Sequence, residues 1–169
     1  MRRDNAPNTM IAGNPMWARY AFAWSLLFGI ASLYWAAGGT IGLSTLAQAI
    51  QDRARDKDAG FLILTAVTGV LKIGAGLVAL ATIQRWGQRF PRRLLLILTV
   101  GIGVLFTLYG LANVVDKVLM VIDVRAVPDG MGDDVVLWYL LLWEPFWTLG
   151  GVLFLLTAWA FRKSPTIPA

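Results

Sequence analysis

The sequence predicts an all-α membrane protein, a left-handed bundle of four transmembrane helices, and three observations carry that reading. Hydrophobic residues make up 57% of the chain and charged residues only 15%, against about 45–50% and 25% in an ordinary soluble domain. The apolar residues gather into four long runs, each of the length, about 20 residues, that a hydrocarbon core requires. The segments between them are short, polar and punctuated by proline and glycine, with no stretch left over for a second domain.

Residues 1–19 are polar, carry Pro7 and Pro15, and read as a cytoplasmic tail. Helix one is expected over residues 20–46. A signal peptide cut after Ala36-Ala37-Gly38 would need a longer polar lead and a longer apolar region than such leaders have, so the run is read as a span. Residues 51–60 mix both signs of charge in a first loop, partly helical in character, before helix two at 61–83. Residues 84–93 form a tight basic loop in which Pro91 stops any continuous helix. Helix three covers 94–122, and an acidic loop with Pro128, Gly130 and Gly132 covers 123–134. Helix four covers 135–161, which makes 20–161 the transmembrane domain and 162–169 a second short tail.

Orientation follows from the basic residues, which are retained in the cytoplasm when they lie near helix ends. Arg2, Arg3, Arg19, Arg85, Arg89, Arg92, Arg93, Arg162 and Lys163 make nine on one side, against Arg53, Arg55, Lys57 and Arg125, four, on the other. The second side also holds seven acids: Asp52, Asp56, Asp58, Asp123, Asp129, Asp133 and Asp134. Both termini are therefore expected in the cytoplasm of a plasma-membrane protein. Trp17, Trp86 and Trp159 fall near the inner interface and Trp138 near the outer one, where amphipathic rings anchor helices. Trp24, Trp35, Trp143 and Trp147 lie deeper, packed between helices or lining a cavity.

Several function classes are excluded. The absence of cysteine removes disulfides, thiol relays and thiolate metal sites, and the absence of histidine removes the usual haem, zinc or copper ligand. No metal and no cofactor is expected. The net charge of +5 sits in short segments beside apolar runs rather than on a soluble face, so no nucleic acid is expected as a partner.

Ionisable groups inside a span cost roughly 2.5–3.5 kcal/mol or more near the bilayer centre, and mark sites unless they neutralise one another. Four are present: Lys72, Asp116, Lys117 and Glu144. At about 1.5 Å per residue Lys72 lies roughly 18 Å and Glu144 roughly 14 Å below the outer ends of their helices, depths that suit an ion pair. Asn113, Asp116 and Lys117 share a helix face at i, i+3, i+4 spacing and point toward the same region. One polar cluster in the outer half is the economical expectation. Pro145, between Glu144 and Trp147, frees the Leu141 carbonyl and is expected to kink helix four beside the acid. Gly38, Gly42, Gly69, Gly76, Gly103, Gly110, Gly150 and Gly151 are expected to let helices pack closely.

Such a cluster admits three readings. It fixes helix register through internally neutral pairs, or lines a binding or transport cavity, or forms an acid–base active site. A desolvated Glu144 could donate a proton to an apolar substrate, with Asp116 as a second acid, while Trp35, Trp143 or Trp147 stabilises a developing cation. Isomerisation or cyclisation of an isoprenoid or other lipid-like molecule fits that set. A transporter this small, without an inverted repeat, would need a homo-oligomer.

Trp35-Ala36-Ala37-Gly38-Gly39-Thr40-Ile41-Gly42, with Tyr139 through Trp147, Gly150-Gly151 and Phe154, resembles a family of small four-span membrane proteins. That family is widespread in actinobacteria and catalogued as a domain of unknown function. The resemblance covers residues 20–161 and implies the four-helix architecture but no activity. Relatives often have histidine at the position of Ser32, where this chain departs.

The site expected from the sequence comprises Glu144 and Asp116 as catalytic acids, with Trp35, Lys72, Asn113, Trp143 and Trp147 binding an apolar, lipid-like ligand from the surrounding bilayer. The rival expectation is a non-catalytic scaffold or partner subunit whose charges only pair internally.

Overall fold

The computed structural model describes residues 15–164. The expected tails fall mostly on residues 1–14 and 165–169, which lie outside the described residues. Among the described residues there are helices and no strand. α1 covers Pro15–Ala36, α2 Gln48–Arg55, α3 Ala59–Ala81, α4 Arg92–Val121, α5 Asp133–Trp138 and α6 Glu144–Lys163. Tyr139–Trp143 form a π-helical turn that joins α5 to α6. Short 3-10 turns lie at Leu43–Thr45 and Arg85–Arg89.

Three helical runs, Ala59–Ala81, Arg92–Val121 and Asp133–Lys163, are long and apolar enough to cross a membrane. Their outward faces suit lipid: Leu64, Leu71, Ile97, Leu105 and Leu141 are each more than half exposed, where a water-soluble bundle would bury such side chains. α1 has 22 residues, but Arg19, three tryptophans and two serines leave it outside that set of apolar helices.

The first helix ends at Ala36, well short of the expected boundary at residue 46, and the reason is local. Gly38 and Gly42 have φ of +91° and +83°, a left-handed conformation that glycine adopts without steric penalty. They are turn residues, not the helix-packing contacts expected of them. The Tyr34 hydroxyl accepts from the backbone N–H of Thr40 at 3.2 Å and of Ile41 at 3.3 Å, and Trp35 Nε1 donates to the Ile41 carbonyl at 2.8 Å. α2 follows, and the Gln48 N–H donates to the Gly130 carbonyl at 3.2 Å. The first and third loops therefore cap the same end of the bundle.

The helices associate as two close antiparallel pairs. In α1 and α3, a Cβ at Gly29 would come within 2.9 Å of the Gly69 carbonyl oxygen, and one at Gly76 within 2.8 Å of Ser25 Cβ. In α4 and α6, a Cβ at Gly151 would come within 2.8 Å of the Gly103 carbonyl, and one at Gly110 within 2.6 Å of the Thr148 nitrogen. Small residues let these backbones approach, which is the main source of association between helices that lipid solvates as well as they solvate each other. α1 and α6 are joined through Trp24, whose indole lies where a Gly150 side chain would be. α3 and α4 touch only lightly.

This packing generates a contrast between two glycines of α4 and α6. Gly151→Val should destabilise the protein in detergent by about 1–3 kcal/mol or more, the usual cost of overpacking, because its side chain would enter the backbone of α4. Gly101→Ala should be neutral or stabilising by up to about 1 kcal/mol, since a Cβ at Gly101 meets nothing within 4 Å. Equilibrium unfolding of both variants checks this, and equal losses would contradict the packing.

Candidate functional site

The interior of the bundle is aromatic. Trp24 lies 5.3 Å from Phe28, 5.6 Å from Phe106 and 5.3 Å from Phe146 between ring centroids, and Phe28 meets Trp147 edge-on at 4.6 Å. Tilted and edge-to-face contacts of this kind put the positive ring edge on the negative face. Trp24 also donates through Nε1 to the Phe146 carbonyl at 3.0 Å. This fixes the first turn of α6 against α1.

The helix is irregular at Pro145, as expected. The helix takes up one extra residue immediately before it, as the π-helical turn Tyr139–Trp143, and the Glu144 N–H reaches back to the Tyr139 carbonyl. A π-turn widens the helix and rotates the next helical segment by roughly one residue's arc, and such turns recur at functional sites. Glu144 therefore turns into the bundle, where it is 3% exposed. Its backbone lies against α4, with the Glu144 carbonyl 2.9 Å from where a Gly110 Cβ would be.

Lys72, 9% exposed, does not pair with Glu144. Its ammonium donates to Ser32 Oγ at 2.8 Å and sits 3.6 Å above the Phe28 ring centroid and 5.0 Å from that of Trp147. Ser32 in turn donates to the Phe28 carbonyl at 3.1 Å. The cation is thus held by one hydroxyl and two aromatic faces, a combination that serves a desolvated ammonium without a counter-ion. Glu144 is left with Oε2 buried and without a hydrogen-bond partner.

The expected Lys72–Glu144 pair is therefore not formed. Lys72 gathers with Ser32, Phe28 and Trp147. Tyr109 meets Trp147 at 5.1 Å, and the Lys117 ammonium lies 5.7 Å from the Tyr139 ring centroid. Asp116 is engaged by two cations, Lys117 at 2.7 Å and Arg125, so both of its oxygens are occupied. Asn113 turns back on its own helix and donates to the Tyr109 carbonyl at 2.8 Å. Trp35 holds the turn that follows α1 and meets Trp143 at 5.6 Å, while Trp143 Nε1 donates to Thr45 Oγ1 at 3.1 Å. These two tryptophans both bond the loop that follows α1. Among the described residues no group of acids is placed to hold a metal ion.

Ser32, Tyr109 and Tyr139 were not among the site residues expected from the sequence. A serine one turn from Phe28 and Trp35 in an apolar run was a signal for Ser32. For Tyr139, whose ring lies 5.7 Å from the Lys117 ammonium, the sequence held no local signal.

A pair of double-mutant cycles tests the separation. Lys72→Met and Ser32→Ala should be coupled by about 1 kcal/mol or more, as expected for a hydrogen bond to a charged group. Lys72→Met and Glu144→Gln should add within about 0.5 kcal/mol. Strong coupling of the second pair in unfolding measurements would restore the direct ion pair.

Comparison with curated proteins and with solved structures gives no match. The family described as "Protein of unknown function (DUF3995)" matches residues 25–154, from Ser25 in α1 to Phe154 in α6 and across both signature segments, so this chain belongs to that family.

Proposed function

We propose that the chain crosses the plasma membrane four times, with both termini cytoplasmic, and that its outer half binds the polar end of a lipid-like or isoprenoid molecule at Glu144. The observation that carries the binding reading is the Glu144 carboxylate itself, almost fully buried with an unpartnered oxygen. Once Lys72 is satisfied by Ser32 and Phe28, the explanation of Glu144 as half of a neutral structural pair loses its partner. A buried acceptor with no hydrogen-bond donor is costly in hydrocarbon, and a ligand hydroxyl or similar donor would remove that cost.

Support for α1 as the fourth span is geometric. Its 22 residues extend about 33 Å at about 1.5 Å per residue, enough for a hydrocarbon core of about 30 Å. It runs antiparallel to α3 and to α6, with Phe22 and Ser25 beside Gly76, Gly29 beside Gly69 and Trp24 beside Gly150. Its polar residues Ser25 and Ser32 are buried inside the bundle rather than turned to lipid. The nine-to-four asymmetry in basic residues supports the cytoplasmic placement of the termini.

The dense aromatic centre favours a second reading, a non-catalytic partner subunit. Mass spectrometry of material extracted from the purified protein separates the two. Wild type should retain a defined amphiphile, Glu144→Gln should keep it through the amide, and Glu144→Leu should lose it while remaining folded. Extracts containing only bulk membrane lipids in ordinary proportions would favour the subunit reading. If the bound molecule is isomerised or cyclised by Glu144, turnover in Glu144→Gln should fall by at least about 10²-fold, the contribution of a positioned general acid.

Topology has its own test. A reporter fused after Ala169 should be active only in the cytoplasm, and activity on the opposite side would overturn the four-span orientation.

A further inference from the structure

The light contact between α3 and α4 leaves a groove of about 250 Å³ at the end of the bundle opposite the Glu144 site. Gly74 and Val78 of α3 face Leu95 and Leu98 of α4 across it, and Trp86 and Phe90 of the Arg85–Arg89 turn close its end. Every lining side chain is hydrocarbon or aromatic. The volume is below the roughly 300–1,000 Å³ of pockets that enclose whole small molecules. It suits part of one extended chain entering from the lipid side.

Cationic residues adjoin the lining residues in the chain. Arg85 and Arg89 flank Trp86 and Phe90 in the turn, and Arg93 precedes Leu94, which also lines the groove. All three arginines are exposed, and among the described residues no carboxylate pairs with any of them. Arg92, by contrast, is engaged in the fold. It donates to the carbonyls of Phe161 at 2.7 Å, Arg162 at 3.1 Å and Ser164 at 2.6 Å, closing the C-terminus of α6. One structural arginine is thus set apart from three exposed ones that neighbour the lining residues in sequence.

We infer that this groove is a binding site for an anionic phospholipid, with one acyl chain between α3 and α4 and the headgroup phosphate held by Arg85, Arg89 and Arg93. Guanidinium groups match phosphate oxygens in a planar, bidentate geometry. Apolar lining alone would accept the chain of any lipid, and the three unpaired cations select a negative headgroup. The Trp86 and Phe90 rings sit between chain and headgroup, the level that aromatic residues prefer at a membrane interface. This site is independent of the reading of Glu144 and requires only that α3 and α4 be embedded.

Native mass spectrometry of the full chain, titrated with phosphatidylglycerol or with phosphatidylcholine of the same chains, tests it. Each cation near an anionic lipid contributes about 1 kcal/mol, so three should give wild type one site with a preference for phosphatidylglycerol on the order of 100-fold. Arg85→Gln, Arg89→Gln and Arg93→Gln combined should remove most of that preference while leaving weak binding of both lipids. Gly74→Leu should weaken binding of both, because a Cβ at Gly74 meets nothing within 4 Å and the added side chain would occupy the groove without disturbing the backbone. Val78→Phe provides a second filling variant, and circular dichroism confirms that each variant is folded. The inference is overturned by equal binding of the two lipids to wild type, by a preference that survives the triple variant, or by folded groove-filling variants that still retain the lipid. A dimer that excludes lipid and is broken by Gly74→Leu would also overturn it, placing a second copy of the chain in the groove.

Discussion

Trp24 holds the two helix pairs of the bundle together. Its indole occupies the space above Gly150, its Nε1 donates to the Phe146 carbonyl at 3.0 Å, and its ring meets Phe28, Phe106 and Phe146. These neighbours come from three helices, α1, α4 and α6. Phe28 against Trp143, Phe146 and Trp147 extends the same seam between the α1/α3 pair and the α4/α6 pair, which matters because α3 and α4 barely meet. The same contact anchors the turn that begins at Glu144 and Pro145. Closure of the bundle and placement of the buried acid thus share one aromatic seam centred on Trp24 and Gly150.

A second constraint acts on everything polar in this interior: in hydrocarbon a polar group finds its partner inside the protein or goes without. Most groups here comply. Lys72 has Ser32 and two aromatic faces, and Asp116 has Lys117 and Arg125. Thr99 and Thr157 donate to carbonyls one turn back on their own helices. Ser25 Oγ, Thr107 Oγ1 and Glu144 Oε2 are the buried atoms left over among the described residues. Of these, the carboxylate oxygen is the expensive one, and it lies beside the only π-turn among the described residues. An orphaned acid at an irregularity in a helix is where a bundle of this kind departs from the demands of packing.

Much of the fold was legible in the sequence because length and apolarity are nearly sufficient for a membrane helix. α3 and α4 begin and end within two residues of the boundaries expected from composition, α4 starting at Arg92 and ending at Val121. The first helix was overextended because residues 37–46 remain fairly apolar and their turn is written in glycine φ angles, which hydropathy does not register. The site was legible as a set of intramembrane charges but not as an arrangement. Depth along a helix was enough to suggest that Lys72 and Glu144 could meet. It said nothing of azimuth, and the π-turn changes the azimuth of everything after Tyr139. Ser32 as the partner of Lys72 depends on the close approach of α1 to α3 at Gly29 and Gly69, a tertiary fact with no local signature.

Separate burial of Lys72 and Glu144, and the proposed ligand at the unpartnered carboxylate, are open to direct observation in an experimental structure of the full chain in lipid nanodiscs. The Lys72 ammonium is expected on Ser32 and over the Phe28 ring, with non-protein density carrying a polar group at Glu144 Oε2. A Lys72 nitrogen within about 4 Å of the Glu144 carboxylate, with no density beside it, would contradict both halves of that expectation.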